Sequence, residues 1–248
     1  MNEQVKEFIK KILYKAGYRL SKVDGWYDYF NFDAFLHSYL RNHSNLFFIQ
    51  IGANDGVRFD PFYHFITNHA AQIKGIVVEP LGDYYSDLKQ NYRDYPGIIP
   101  VQAAIHNTLK EKVLYRINPD KASGAPDWAK GIASFDADHH KLSGIPSAVM
   151  TQEKVRCISF SELLNTYNVA KVDLLQIDTE GYDAEIIQSI DFDTVKPMVI
   201  HFEHAFSEGG ISRAKLLGLM DLLHQNNYEL ALEENDAIAY QRSLILDP

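Results

Sequence analysis

Short apolar runs alternate along the chain with segments whose apolar residues recur every three or four positions. The runs are Leu46 to Ile51, Lys74 to Glu79, Ile98 to Ala103, Val172 to Asp178 and Met198 to Glu203. Helical patterns cover Pro61 to His69, Tyr84 to Tyr92, Asp183 to Ser189 and Arg213 to Asn226. Strand-length β-branched runs separated by helices predict parallel βαβ units with right-handed crossovers. The expected fold class is therefore α/β, a doubly wound sheet with helices on both faces.

Three regions modify that scheme. Tyr228 to Leu232 and Ala237 to Arg242, joined by Glu233, Glu234, Asn235 and Asp236, read as a hairpin that sets one antiparallel strand at the sheet edge. Residues 116–153 are rich in Gly, Pro, Ser and Asp without a sustained period, which predicts an inserted loop or lid. At the front, Val5, Phe8, Ile9, Ile12, Leu13 and Ala16 recur at helical spacing among Lys6, Lys10, Lys11 and Lys15. That is a basic amphipathic helix; Glu3 and Glu7 favour docking on protein over an anionic membrane. A second helix is expected from Phe32 to Leu40. Residues 1–45 thus form a helical extension, lid or docking element, and residues 46–248 the main domain.

Composition narrows the function classes. With 46% hydrophobic residues in 248, one substantial core is expected. A formal charge of −9 gives no general attraction to a phosphate backbone, so no nucleic-acid partner is expected. The single cysteine, Cys157, excludes an intramolecular disulfide framework and reads as a buried apolar residue, which points to a cytoplasmic location. No run approaches the ~20 apolar residues of a membrane span, and no pattern indicates an oligomeric state.

The first strand ends in "GANDG", Gly52, Ala53, Asn54, Asp55 and Gly56. In open α/β sheets ligands sit beyond the carboxyl ends of the strands, where strand order reverses. A dinucleotide fingerprint laid from Gly52 needs glycine at positions 54 and 57, which hold Asn54 and Val57. Asp55 repels a pyrophosphate and suits an amine or sulfonium. The next strand ends in Glu79 and Pro80, where a carboxylate can accept both hydroxyls of a ribose. A cation and a ribose together describe S-adenosylmethionine.

"FIQIGANDG", "VVEPLGDYYSDLKQN", "VQAAI" and above all "DLLQIDTEGYDAEII" resemble the FkbM family of S-adenosylmethionine-dependent methyltransferases over roughly residues 46–242. The resemblance implies the class I methyltransferase (Rossmann-like) fold, with a seven-stranded sheet and one antiparallel edge strand. It implies methylation of a hydroxyl, commonly on a sugar or natural product. It also implies that Gly52, Ala53, Asn54, Asp55 and Gly56 line the methionine part of the cofactor, Glu79 and Pro80 its ribose, and Ala103 and Ala104 the adenine neighbourhood. Asp178 belongs to both the cofactor and the acceptor side. The family's usual Asp-Val-Glu-Gly reads Asp178, Thr179, Glu180, Gly181.

Methyl transfer to oxygen needs an aligned acceptor and removal of the hydroxyl proton, by a general base or a divalent metal. Asp178 ends one strand and Glu203 and His204 end the next, so these three are expected to carry acceptor chemistry. They would act with Mg²⁺ or Mn²⁺ as metal ligands, or with His204 or His201 as base. His201 also reads as a hydrogen-bonded core histidine, and Asp178 and Glu180 as caps of the following helix. In the insert, Ser134, Asp138, His139, His140 and Trp128 lie in a solvated loop or in a lid over the acceptor. The combined expectation is an O-methyltransferase acting on a small molecule or glycan. The alternatives are an NAD(P)-dependent oxidoreductase and a non-catalytic carbohydrate- or cofactor-binding module.

Overall fold

A computed structural model describes residues 32–246 except 59, 61, 125–126, 206–209 and 234. The basic helix expected near residues 5–16 lies outside the described residues. The chain divides into two compact units, 1–45 and 46–248. The described element of the first is α1 (Phe32–Asn42). His43 N donates to Tyr39 O at its end, and the two rings stack 4.0 Å apart.

The second unit opens with β1 (Leu46–Ile51), α2 (Phe62–Asn68), β2 (Ile73–Val78), α3 (Gly82–Asn91) and β3 (Ile98–Val101). Next come β4 (Ala104–Ile105), β5 (Glu111–Ile117), β6 (Ala133–Ser134) and β7 (Met150–Ile158). It continues through α4 (Phe160–Thr166), β8 (Leu174–Ile177), α5 (Asp183–Gln188), β9 (Val199–Glu203) and α6 (Arg213–Gln225). The chain closes with β10 (Tyr228–Leu232), β11 (Asp236–Gln241) and α7 (Ser243–Leu246). No helix among the described residues is long and apolar enough to cross a membrane.

Seven strands form the central sheet in the order β10-β11-β9-β8-β1-β2-β3. All neighbours from β9 to β3 are parallel. The terminal hairpin makes the antiparallel side, with β11 running between β9 and the outermost β10. The chain fills one side of β1 with β2 and β3, then returns to its other side with β8 and β9. Strand order therefore reverses between β1 and β8, which opens a crevice at their carboxyl ends.

Side-chain alternation explains why the strands stay put. Ile49, Ile51, Leu175, Ile177, Ile200 and Phe202, each no more than 2% exposed, share one core with Leu163, Ile187 and Leu219 of α4, α5 and α6. Burial at this level is worth roughly 1.5–3 kcal/mol per large side chain. On the opposite face the Phe48 ring meets Phe62 of α2 edge-on at 5.2 Å. Helix starts are set locally. Ser159 Oγ accepts from Glu162 N at 3.0 Å to begin α4, and Ser212 Oγ from Lys215 N at 3.2 Å to begin α6.

The insert is more ordered than its composition suggests. β5 and β7 pair antiparallel from Glu111↔Arg156 to Ile117↔Met150, and β6 adds to β5. Residues 116–117 and 150–153 thus belong to a strand stem. Short 3-10 turns fill the space between, and Ile117, Ala129, Ile132 and Ile145 bury a small core of their own. Buried Val155 and Cys157 alternate with exposed Lys154 and Arg156, a period of two that polar residues conceal. Arg116 occupies a buried strand position because Asp83 and Glu153 neutralise it, with Asp83 at 2.7 and 2.8 Å.

Candidate active site

The turn after β1 is held by its own backbone and by its neighbours. Gly52 N and Ala53 N both donate to Val78 O at 3.0 Å. Gly52 has φ +84°, and a Cβ there would stand 1.7 Å from Asp178 O. Glycine is required because the turn after β8 passes against it. Asn54 also takes positive φ, and its N–H donates to Glu79 Oε2 at 2.9 Å. Asp55 is used differently from the sequence expectation. Its Oδ1 accepts from Val57 N and Arg58 N, at 3.0 and 2.8 Å, and its Oδ2 accepts from Arg58 Nε at 2.6 Å. Gly56, with φ +72°, packs against Leu88 and Tyr92. Neither Asp55 nor Gly56 lines the cleft, whereas Gly52, Ala53 and Asn54 do.

Glu79 is 5% exposed on the same wall, with Oε1 accepting from Leu81 N at 2.9 Å. Each carboxylate oxygen thus takes one backbone donor and keeps capacity for another. Burial raises its pKa to about 7, against the lowering effect of those two bonds. Pro80, Ala103 and Ala104 continue the wall past β2 and β3, and Leu114 of β5 and Ala133 of β6 face the same space. The cleft therefore runs from the turns of the central sheet to the insert.

Asp178, directly after β8, stands on this cleft, accessible to solvent yet crowded by protein. Loss of water around it and the charges of Glu180, Asp183, Glu203 and Asp236 hold its pKa well above the ordinary carboxylate range. Glu180 also lines the cleft. It has φ +53°, and two groups of the insert fix it: Ser134 Oγ donates to its carbonyl at 2.7 Å, and His139 Nε2 lies 2.8 Å from Oε2. The Glu180 carboxylate bonded to His139 raises the histidine's pKa.

Glu203 and His204 line a neighbouring small concavity with His139, Gly181 and Asp183. Burial first, then Glu180, Asp183 and Asp236, push Glu203 up to about 8. The triad expected to hold Mg²⁺ or Mn²⁺ is not gathered. Asp178 faces the main cleft, Glu203 and His204 the smaller one, and no group of three His, Cys, Asp or Glu suited to a metal ion occurs among the described residues. His201 sits inside β9 with Nδ1 2.7 Å from Gln176 Oε1, and burial lowers its pKa. Neither Asp178 nor Glu180 caps α5, whose N-cap position is Tyr182 with no side-chain cap bond. Asp183 instead ties the turn, accepting from Thr179 Oγ1 at 2.6 Å and from Glu203 N at 3.2 Å.

Residues 50–230 match the family model described as "Methyltransferase FkbM domain", well over half of the chain. The chain belongs to the FkbM methyltransferase family. It is an S-adenosylmethionine-dependent methyltransferase. A comparison with curated proteins returned no match. Among solved structures it is similar to precorrin-6y C5,15-methyltransferase from Geobacter metallireducens GS-15. The two are 14% identical over 84% of this chain and 86% of that one, with TM-score 0.41. It is similar to Aeropyrum pernix fibrillarin with natively bound S-adenosylmethionine, 12% identical over 80% and 66%, TM-score 0.43. It is also similar to the methyltransferase domain of METTL16, 10% identical over 85% and 66%, TM-score 0.45.

In this FkbM-family chain several cleft residues went unread in the sequence. Gln50, Asp60 and Gln176 line it although two of them lie within strands. Their signal is a glutamine amid an apolar run, in "FFIQI" and in "LLQI". Phe135 and Tyr182 line it as well, 5.0 Å apart and edge-on, with Lys112 Nζ 4.2 and 4.7 Å from their ring centres. His140 turns inward, its Nδ1 2.5 Å from Ile145 O. Asp138 is exposed and paired with Lys141. The Trp128 side chain lies outside the described residues.

Proposed function

We propose that this methyltransferase acts on a hydroxyl of a sugar, a glycosylated natural product or a polysaccharide precursor in the cytoplasm. The observation that carries this reading is the placement of the Asp178 and Glu180 carboxylates on the same cleft as Gly52 and Glu79. A carboxylate held above its usual range is a stronger proton acceptor, suited to general-base work.

The residues present fit the cofactor. Gly52, Ala53 and Asn54 line the cleft, and buried Glu79 keeps acceptor capacity for two ribose hydroxyls. Gly52, Ala53 and Asn54 would hold the methionine end, and Ala103, Ala104 and Leu114 the adenine. Bound there, the cofactor supplies an electrophilic methyl carbon on sulfonium sulfur. The chain's own part is to align the acceptor oxygen with that carbon and exclude water, which can supply much of the rate. Asp178 takes the hydroxyl proton, and Glu180, braced by His139, accepts a neighbouring hydroxyl of the acceptor. Glu203 and His204 stand behind this wall, and no step is assigned to a metal.

The test supplies S-adenosylmethionine with a panel of methyl glycosides, sugar nucleotides, a phenol and a lysine-containing peptide, and identifies products by mass spectrometry. A methyl ether on a glycoside or sugar nucleotide is expected. Methylation of the peptide or phenol alone would sink the carbohydrate reading.

A further inference from the structure

One wall of the cleft carries aromatic rings gathered around a cation. Phe135 follows β6, Tyr182 precedes α5, and both line the cleft. His106, after β4, stacks on Tyr182 with ring centres 5.5 Å apart and meets Phe135 edge-on at 6.1 Å. Its Nδ1 accepts from Thr108 N and Leu109 N, both at 3.2 Å, which fixes the ring. Lys112 Nζ stands over the other two rings, 4.2 Å from the centre of Phe135 and 4.7 Å from that of Tyr182. Lys112 shares one face of β5 with Leu114, which also lines the cleft. Burial first, then Lys112 itself, lowers the pKa of His106, so the positive charge of this wall near neutral pH is the ammonium.

Three cations close to Lys112 in the β5 and β7 region are paired with carboxylates. Lys110 meets Glu162 at 2.6 Å, Lys154 pairs with Glu111, and Arg116 with Asp83 and Glu153. Lys112 has no carboxylate or carbonyl partner among the described residues, and its half-buried ammonium stays open to solvent. A charge drawn partly out of water without a partner is costly, and a ligand anion recovers that cost. Across the cleft Arg58 is already engaged, its Nε on Asp55 Oδ2 at 2.6 Å.

The same wall adjoins the acceptor. Tyr182 stands two residues past Glu180, and Ser134, the neighbour of Phe135, donates to Glu180 O at 2.7 Å. A ligand that reaches from Glu180 along this wall meets the two rings and then Lys112 Nζ. Asp178 and Glu180 repel an anion at the reacting end, so a charged group is favoured at the lysine end alone.

We propose that Lys112 binds an anionic group of the acceptor, a phosphate or a carboxylate, while the body of the acceptor lies against Phe135 and Tyr182. This rests on reading Glu180 as the partner of an acceptor hydroxyl. It narrows the acceptor from sugars in general to charged ones: a sugar phosphate, a nucleotide sugar or a uronate. Lysine serves any of them because it acts as a point charge.

The test titrates methyl α-glucoside, methyl α-glucuronide and glucose 1-phosphate calorimetrically into protein saturated with S-adenosylhomocysteine. One charge-assisted contact predicts that a charged probe binds wild type about tenfold tighter than the neutral one, and which probe gains separates carboxylate from phosphate. Lys112→Met keeps an apolar stem over the rings and should erase that preference, with S-adenosylhomocysteine affinity within about twofold of wild type. Lys112→Gln gives the same reading should Lys112→Met fail to fold, and Lys112→Arg should keep the preference. Equal affinity for charged and neutral probes, a preference that survives in a neutral variant, or loss of S-adenosylhomocysteine binding in a folded variant overturns the proposal and leaves the carbohydrate reading standing. Binding of none of the three probes by protein that binds S-adenosylhomocysteine also overturns it, and the acceptor panel then decides the carbohydrate reading by itself. No binding of S-adenosylhomocysteine to folded wild type removes the cleft reading, and the proposal with it.

Discussion

The turns after β1 and β8 have much the same ingredients: glycine at positive φ, another residue at positive φ, and acidic side chains. Their acids do opposite things. In the first, Asp55 turns back onto Val57 N, Arg58 N and Arg58 Nε, spends most of its acceptor capacity on the turn and does not line the cleft. In the second, Asp178 and Glu180 face the cleft, and like charges with loss of water hold Asp178 above its ordinary pKa. An acid whose bonds are satisfied locally builds shape. One crowded by other acids carries free energy available to a proton or a ligand.

The contrast breaks most sharply at Gly52. Gly52→Ala places a Cβ against Asp178 O and demands a φ that alanine resists, so a stability loss of about 3 kcal/mol is expected. Thermal unfolding would show it, and calorimetry would show S-adenosylhomocysteine binding lost with it. Tolerance of alanine would mean the two turns are not pressed together.

Asp178→Asn sharpens the comparison from the other side. Cofactor binding should stay within about threefold while turnover falls about a hundredfold or more. Because its folded pKa is raised, ionising Asp178 costs stability as pH rises above the ordinary value of 3.8. The asparagine variant avoids that cost, so its melting temperature should gain on wild type as pH increases. Asp55→Ala should do the reverse, losing about 2 kcal/mol by orphaning two backbone donors, with weaker binding as a consequence. Denaturant titration of both variants separates the two outcomes, and a stabilised Asp55→Ala would contradict the division.

The smallest effect expected is at the brace. His139→Ala removes a bond between the insert and Glu180, worth on the order of 1 kcal/mol. Glu180 raises the pKa of His139, so this stability is fully present below the ordinary histidine value of 6.5 and is lost as pH rises through the folded value. Melting curves of wild type and variant should converge at alkaline pH. A difference indifferent to pH would show that the ion pair contributes nothing.

Much of the sheet was legible because its strands are mostly apolar and its helices keep their period. Strand and helix limits fall within about two residues of expectation, as in Met198 to Glu203 against Val199–Glu203. The second sheet was not legible, since β5 buries Arg116 where a strand pattern calls for an apolar residue and β7 hides its alternation among Gln152, Lys154 and Arg156. Gly52, Ala53, Asn54, Glu79 and Asp178 could be placed on the cleft from strand ends alone. Asp55 could not, because nothing in "GANDG" tells whether the carboxylate points out or back. Glu180 with His139 was hidden for another reason. The partners are 41 residues apart, and only the folded insert brings them together.

The most direct test of the account is the affinity of wild type for S-adenosylhomocysteine on either side of the Glu79 pKa of about 7. Glu79 must be ionised to accept two ribose hydroxyls, so calorimetry should find one saturable site that binds about tenfold tighter near pH 8 than near pH 6. In Glu79→Gln the site should be weaker and the pH dependence gone. Absence of binding by folded protein, or an affinity that ignores both pH and Glu79, would contradict the assignment of the cleft to the cofactor.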